Sequence, residues 1–169
     1  MKKTGEGGSL MSGDEEVKIE QVPADKWRYR ELLLLADEQE DMVARYLERG
    51  TMYLLRVDGA AAAQCVVTDE GDGLLELKSL SVLPRYQKKG YGRALVAFVE
   101  ETYRGAFHTL QVGTGDSPLT LPFYEKCGFV ESHRVKNFFT EHYDHPIIEA
   151  GVRLTDMVCL RKSLRAADK

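Results

Sequence analysis

The sequence predicts a mixed α/β fold of the α+β kind, with a central, mostly antiparallel sheet of about six to seven strands flanked by about four helices. Three observations lead there. Apolar residues at three- and four-residue spacing before residue 50 give way to alternation between 51 and 83, and strand-like and helix-like runs then take turns to residue 160. At 169 residues the chain suits one domain with a core of ordinary size, since domains run to roughly 100–200 residues. Residues 1–15 are expected to be a flexible tail, 16–164 a single domain and 165–169 a second tail.

Val17, Ile19 and Val22 form an entering strand that Pro23 stops. Ala24 to Ala36, with Trp27, Leu32, Leu33 and Leu35 among charged residues, suits an amphipathic helix, and Gln39 to Glu48 a second one ended by Gly50. Met52–Val57 and Ala61–Val67 flank Asp58-Gly59 and read as a hairpin. After the Asp69–Gly73 turn, Leu74 to Leu83 puts Leu75, Leu77, Ser79, Ser81 and Leu83 on one face and Glu76, Lys78, Leu80 and Val82 on the other. A helix over Gly90–Tyr103, a strand over Phe107–Val112, a helix over Pro118–Lys126 and a strand over Phe129–Val135 follow. Asn137 to Gly151 is irregular, and Val152–Leu160 closes the sheet.

Lys plus Arg is 23 and Asp plus Glu is 27, a net charge of −4 that argues against a nucleic-acid partner. The longest aliphatic run, Leu32–Ala36, is far below the about 20 apolar residues of a membrane helix, so no membrane association is expected. Cys65, Cys127 and Cys159 are odd in number and form no CxxC pair, which points to a reduced, cytoplasmic setting. Lys2 and Lys3 lead into Gly5, Gly7, Gly8 and Ser9 rather than an apolar segment, so no secretory leader is expected.

Gln87-Lys88-Lys89-Gly90-Tyr91-Gly92 sits where a strand hands over to a helix. The first helical turn leaves about four N–H groups without intrahelical partners and carries the positive end of the dipole, so it suits an anion. Gly90 and Gly92 lack the Cβ atoms that would bar a ligand from the backbone. Between Glu76 and Glu100 there is no acid, while Lys78, Arg85, Lys88, Lys89 and Arg93 concentrate positive potential there, as a polyanionic ligand requires. A solvated basic loop with two turn glycines is the alternative. The dinucleotide fingerprint fails, because Leu95 stands where its third glycine belongs and Leu110 where an acid is needed, and no GxxxxGK[ST] string occurs.

That loop, preceded by Leu80-Ser81-Val82-Leu83-Pro84 and followed by Phe123-Tyr124-Glu125-Lys126-Cys127-Gly128-Phe129, resembles the GNAT superfamily of acetyl-CoA-dependent N-acetyltransferases. The first segment matches the family's Q/R-x-x-G-x-G/A loop and the second its F/L-Y-x-x-x-G-F segment, in the expected order. The resemblance covers about Val17 to Leu160. It implies acetyl-CoA as co-substrate and no metal, with a small-molecule or peptide amine as acceptor and a homodimer left open. It also implies that the backbone around Lys88, Lys89, Gly90, Tyr91, Gly92 and Arg93, after Gln87, holds the coenzyme pyrophosphate. Leu80, Ser81 and Val82, on a strand that splays from the next parallel one, would pair with the pantetheine arm, flanked by Asp116 and Phe123.

Acetyl transfer to an amine needs an unprotonated nucleophile, and alkyl amines titrate near ~10.4, so a base or water relay helps at neutral pH. Glu76 is the candidate, 11 residues before Gln87, a spacing at which GNAT enzymes resemble one another in carrying a general-base glutamate. A solvent-facing or salt-bridged strand glutamate is the other reading. Tyr124 is the candidate proton donor, since a phenol near ~10 can protonate a thiolate near ~8.5 while staying neutral at pH 7. Asp116 stands where relatives resemble one another in an asparagine that contacts pantetheine, and a carboxylate lacks that donor. Ser117 offers a helix cap instead. Cys127 before Gly128 reads as buried filler rather than a nucleophile, and His142 and His145 with Glu141 and Asp144 as a polar loop rather than a metal cluster.

Acceptor choice would come from two stretches. Asp37, Glu38, Glu40 and Asp41 stand at the start of a helix, where acids also serve its dipole. Glu141, Asp144 and Glu149 lie among Phe138, Phe139 and Tyr143, an acidic, aromatic mouth suited to a cationic amine.

Overall fold

The computed structural model describes residues 2–4, 7–12 and 15–165, with side chains from 15 to 165. Residues 1, 5, 6, 13 and 14 of the expected first tail and 166–169 of the second lie outside them. In chain order the elements are β1 (Lys2–Thr4), β2 (Gly7–Ser12), β3 (Glu15–Val22), a 3₁₀ turn over Lys26–Tyr29, α1 (Arg30–Ala36), α2 (Glu40–Leu47), β4 (Thr51–Val57), β5 (Ala60–Asp69) and β6 (Leu74–Val82). A 3₁₀ turn over Pro84–Tyr86 leads to α3 (Tyr91–Tyr103), β7 (Thr109–Gly115), α4 (Leu121–Lys126), β8 (Val130–Val135), α5 (Phe138–His142), β9 (Ile148–Glu149), β10 (Val152–Arg153) and β11 (Met157–Ser163). The fold is mixed α/β as the sequence predicts. Every described strand pairing is antiparallel except that of β6 with β7. No helix among the described residues is long and apolar enough to cross a membrane.

The chain divides into two compact units, Met1–Thr68 with Lys78–Thr102 and Asp69–Leu77 with Tyr103–Lys169. In the first the strands run β1-β2-β3-β4-β5-β6. Asp58 (φ 49°) and Gly59 (φ 86°) close the β4–β5 hairpin with two positive φ angles, as a type I′ turn requires. Met52, Leu54 and Val66 on one sheet face meet Leu32, Leu33, Val43, Tyr46 and Leu47 of the two helices in one buried cluster. Tyr53, on the opposite face of β4, receives Phe98 of α3 edge-on at 5.0 Å. The Lys26 ammonium donates to the carbonyls of Leu47 (2.9 Å) and Gly50 (2.7 Å), so it satisfies the end of α2.

A polar seam lies inside this apolar unit. Gln64, fully buried, donates through Nε2 to Ser79 Oγ (2.7 Å) and Ser81 Oγ (3.1 Å), and the Ser81 hydroxyl donates to the Leu32 carbonyl (2.6 Å). Burial and the nearby Asp37 charge raise the pKa of Tyr46, partly offset by Ser79. Burial also pushes the Cys65 thiol up to about 12. Both groups are held neutral in the folded chain and ionise at lower pH when it unfolds, so the stability they contribute is full below about pH 9 and lost as pH climbs toward 12. Thermal melts should therefore hold steady from neutral pH to about pH 9 and fall above it. A melting temperature that rises between pH 9 and 11 would contradict this assignment.

In the second unit the order is β6-β7-β11-β8. The parallel pairing runs from Leu74↔Thr109 to Leu77↔Val112, while β11 pairs with β7 along its whole length, from Ser163↔Thr109 to Met157↔Gly115. Gly113 and Gly115 admit neighbours no Cβ would tolerate: Met157 Sδ lies 2.6 Å and Leu154 Cδ1 2.4 Å from where those Cβ atoms would be. The two contacts fasten the start of β11 and the segment just before it onto the C-terminal end of β7.

Several boundaries differ from the sequence reading. Residues 2–4 and 7–12 are strands rather than loose tail, pairing onward to β3 from Gly7↔Glu20 to Ser12↔Glu15. Asp25 (φ 59°) delays the helix expected over Ala24–Ala36, which begins as the 3₁₀ turn and continues from Arg30 as α1. The helix expected from Pro118 begins at Leu121, because Ser117 Oγ accepts the Leu119 N–H (2.9 Å) and holds a turn there. The irregular stretch contains α5 and β9, which pairs in a hairpin with β10 at the start of the expected closing strand, and the strand that closes the sheet begins at Met157 rather than Val152.

Candidate functional site

In the first unit, β6 delivers the chain to the basic glycine loop. The Gln87 side chain donates from Nε2 to the Val82 carbonyl (2.9 Å) and ties the loop to the strand it leaves. Lys88 (φ 64°) and Gly90 (φ 87°) are both left-handed, and Lys88, Lys89 and Gly90 are exposed. Nothing lies within 4 Å of a Cβ built on Gly90. The Ala94 N–H bonds the Gly90 carbonyl at 2.9 Å, which marks the first intrahelical bond of α3. The N–H groups just before it therefore have no carbonyl four residues back within the helix, and they belong to the exposed glycine turn. Residues 88–93 fit an anion.

Not every side chain of the segment is available to a ligand. Tyr91 is 4% exposed, and its hydroxyl donates to Glu15 Oε1 (2.8 Å). Desolvation and then that bond push its pKa up to about 12. Tyr91 thus anchors the loop, and only its backbone remains for binding. Arg93 is exposed, and Arg85 lies over the Tyr86 ring at 5.0 Å. The Ser81 hydroxyl is committed to the Leu32 carbonyl, so of Leu80, Ser81 and Val82 the middle residue can offer only main-chain groups.

In the second unit Glu76 is 8% exposed and stands opposite Gln111 in the parallel register. Gln111 donates from Nε2 to Glu76 Oε1 (3.0 Å), and its own carbonyl accepts from Arg161 Nε (2.7 Å). The carboxylate is therefore oriented by an amide that a guanidinium fixes in turn. Neither Gln111 nor Arg161 was singled out by the sequence, since they lie 35 and 85 residues beyond Glu76 and carry no motif. The polar side chain of Gln111 at a strand position was the signal available.

Tyr124, 7% exposed, is set by α4 between Phe123 (5.0 Å, edge-on) and Phe129 (5.6 Å, edge-on). The Phe129 N–H returns to the Tyr124 carbonyl (3.0 Å), and Gly128 (φ 97°) makes that return possible. Asp116 is exposed and accepts from Arg134 Nη1 (2.8 Å), and hydrogen bonds to Glu131 first and Asp116 second raise the guanidinium's pKa. Cys127 is buried, and Lys162 donates to its carbonyl (2.6 Å). Among the described residues no three His, Cys, Asp or Glu side chains gather as a metal-holding group. His142 instead meets the Phe138 carbonyl (3.0 Å) and His145 the Asp144 carboxylate (2.6 Å). Glu40 and Asp41 sit in the first turn of α2, Glu40 paired with Arg30.

Comparison with known proteins adds to this geometry. A family model described as an acetyltransferase (GNAT) domain matches residues 48–131. The uncharacterized N-acetyltransferase YvbK of Bacillus subtilis (strain 168) is 37% identical over 132 residues, 77% of this chain and 85% of that protein. A GNAT family acetyltransferase from Elizabethkingia anophelis with acetyl-CoA bound has a similar fold, at TM-score 0.83 and 30% identity over 87% of this chain and 97% of that one. A Bacillus subtilis acetyltransferase in complex with CoA matches at TM-score 0.78 and 35% identity, over 86% of this chain and 97% of that one.

Proposed function

Because this chain belongs to the GNAT family of acetyltransferases, we propose that it moves an acetyl group from acetyl-CoA to a primary amine of a small molecule or peptide, by direct attack in a ternary complex. The observation that carries the reading is the open left-handed turn at Gly90 on the N-terminus of α3, within a stretch free of acids. Its N–H groups and the exposed Lys88, Lys89 and Arg93 hold the pyrophosphate. The main chain of Leu80–Val82 takes the amide-bearing arm. The three cysteines are buried and joined by no disulfide among the described residues, which supports a cytoplasmic location.

Acetyl-CoA supplies the thioester carbon that the amine nitrogen attacks, the C–S bond breaking as the C–N bond forms. Glu76, directly or through one water, takes the proton the amine sheds, and Gln111 keeps its carboxylate aimed. Tyr124 gives its phenolic proton to the departing thiolate and recovers one from solvent. Main-chain N–H groups of the Leu80–Val82 strand suit the carbonyl oxygen, where preorganised donors are worth most.

A thiol-release screen of acetyl-CoA against an amine panel tests this, with propionyl-CoA and succinyl-CoA as parallel donors. Amine-dependent release fastest with acetyl-CoA is expected. Tight CoA binding with no release for any amine would mark a non-catalytic CoA-binding module, and preference for a longer donor a different acyl specificity.

A further inference from the structure

A cavity of about 160 Å³ opens in the second unit, lined by Phe139, Thr140, Tyr143, Asp144, His145, Pro146, Ile147, Arg153 and Leu154. It has fixed walls. The Phe139 and Tyr143 rings stack at 5.5 Å, the Phe139 N–H bonds the Thr155 carbonyl (2.9 Å), and the Leu154 N–H bonds the Ile147 carbonyl (2.8 Å). Leu154, the buried floor, is the residue that presses on Gly115 at the end of β7. From that end the chain turns through Asp116 and Ser117 into α4, which carries Tyr124.

The charges inside are uneven in their commitments. Asp144 is engaged by His145 (2.6 Å), and Thr140 donates to the Asn137 carbonyl (3.0 Å). The Arg153 guanidinium has no hydrogen bond or ion pair among the described residues. A planar fork of donors beside stacked rings suits a carboxylate, which it grips through two parallel bonds. A lone ammonium is disfavoured there, because Asp144, the carboxylate that lines the cavity, is engaged by His145 and the guanidinium repels it. A phosphate dianion is disfavoured too, since Arg153 is the one arginine among the lining residues and the Asp144 carboxylate lines the cavity as well. The volume is below the ~300–1,000 Å³ of sites that enclose a whole small ligand, so the cavity takes one end of a molecule.

We propose that this cavity binds the carboxylate end of the acceptor, with Arg153 as the residue that selects amines bearing a carboxylate, the amino-acid class. The inference rests on the acetyl-transfer reading above and narrows the cationic amines that the acidic mouth of the sequence suggests to those that also bear a carboxylate.

The test compares matched pairs, phenylalanine with phenethylamine and lysine with cadaverine, in the wild-type enzyme and in Arg153→Gln. Arg153 is exposed, so the variant keeps its fold. In the wild type kcat/KM should favour the carboxylated member of a pair by about 10- to 100-fold, the worth of a charge-assisted contact. In Arg153→Gln that preference should vanish through KM, with turnover of the decarboxylated amine and affinity for CoA unchanged. No preference in the wild type for either pair, or an equal loss on both members in the variant, overturns the proposal. Calorimetry of phenylalanine and lysine against both proteins separates the two readings. Binding lost only in the variant sustains the carboxylate site even if no amine releases thiol, whereas absent binding with active transfer overturns the site and leaves acetyl transfer standing.

Discussion

Tyr124→Phe is expected to lower kcat by about 100-fold or more, the scale on which a positioned proton donor acts, while the Kd for CoA stays within about twofold of wild type. The separation of the two effects is the point. Tyr124 is held by edge-on contacts with Phe123 and Phe129 and by main-chain bonds of α4, and a phenylalanine keeps all of them. What goes is the hydroxyl proton. Single-turnover thiol release and calorimetry on one preparation read both quantities, and a melting curve controls for fold. If kcat and CoA affinity fall in proportion, the hydroxyl anchors the donor rather than protonating the thiolate.

Gly90→Val attacks the other half of the reaction. A β-branched residue at φ 87° is a genuine outlier, at a cost of about 1–2 kcal/mol, and the loop must relax away from the left-handed turn to accommodate it. Its N–H groups then no longer converge on one point. CoA affinity should weaken by about 10- to 100-fold, since each factor of ten is about 1.4 kcal/mol. Turnover of S-acetylpantetheine, which lacks the pyrophosphate, should be unaffected. Unchanged CoA binding in a variant of wild-type melting temperature would remove the loop from the donor site.

How much of this was legible in the sequence depends on how local the determining contacts are. The β4–β5 hairpin was, because Asp58-Gly59 announces a turn of positive φ between alternating runs. So were the loop and Tyr124, which lie in short motifs. The α5 helix and the β9–β10 hairpin were not. Their residues are aromatic, acidic and histidine-rich without periodicity, and they are ordered by long-range ties such as the Asn137 N–H to Asp156 (2.9 Å). The strand over Gly7–Ser12 was missed because glycines show no alternation, and its register comes from the partner strand. At the site the sequence offered Glu76 but not Gln111 or Arg161, which only the pairing of separate strands brings within reach of it.

The buried amide of Gln64 with Ser79 and Ser81 has one more consequence. Sliding β6 by a single residue would swing Leu80 toward that amide and leave both hydroxyls on the wrong side, so an entire set of donors would lose its acceptors at once. The hydroxyls and the amide act as an alignment key, which rejects misthreaded strands where an all-leucine interior would tolerate them. Since the glycine loop follows β6 after a single 3₁₀ turn, the same key fixes where along the sequence the loop emerges.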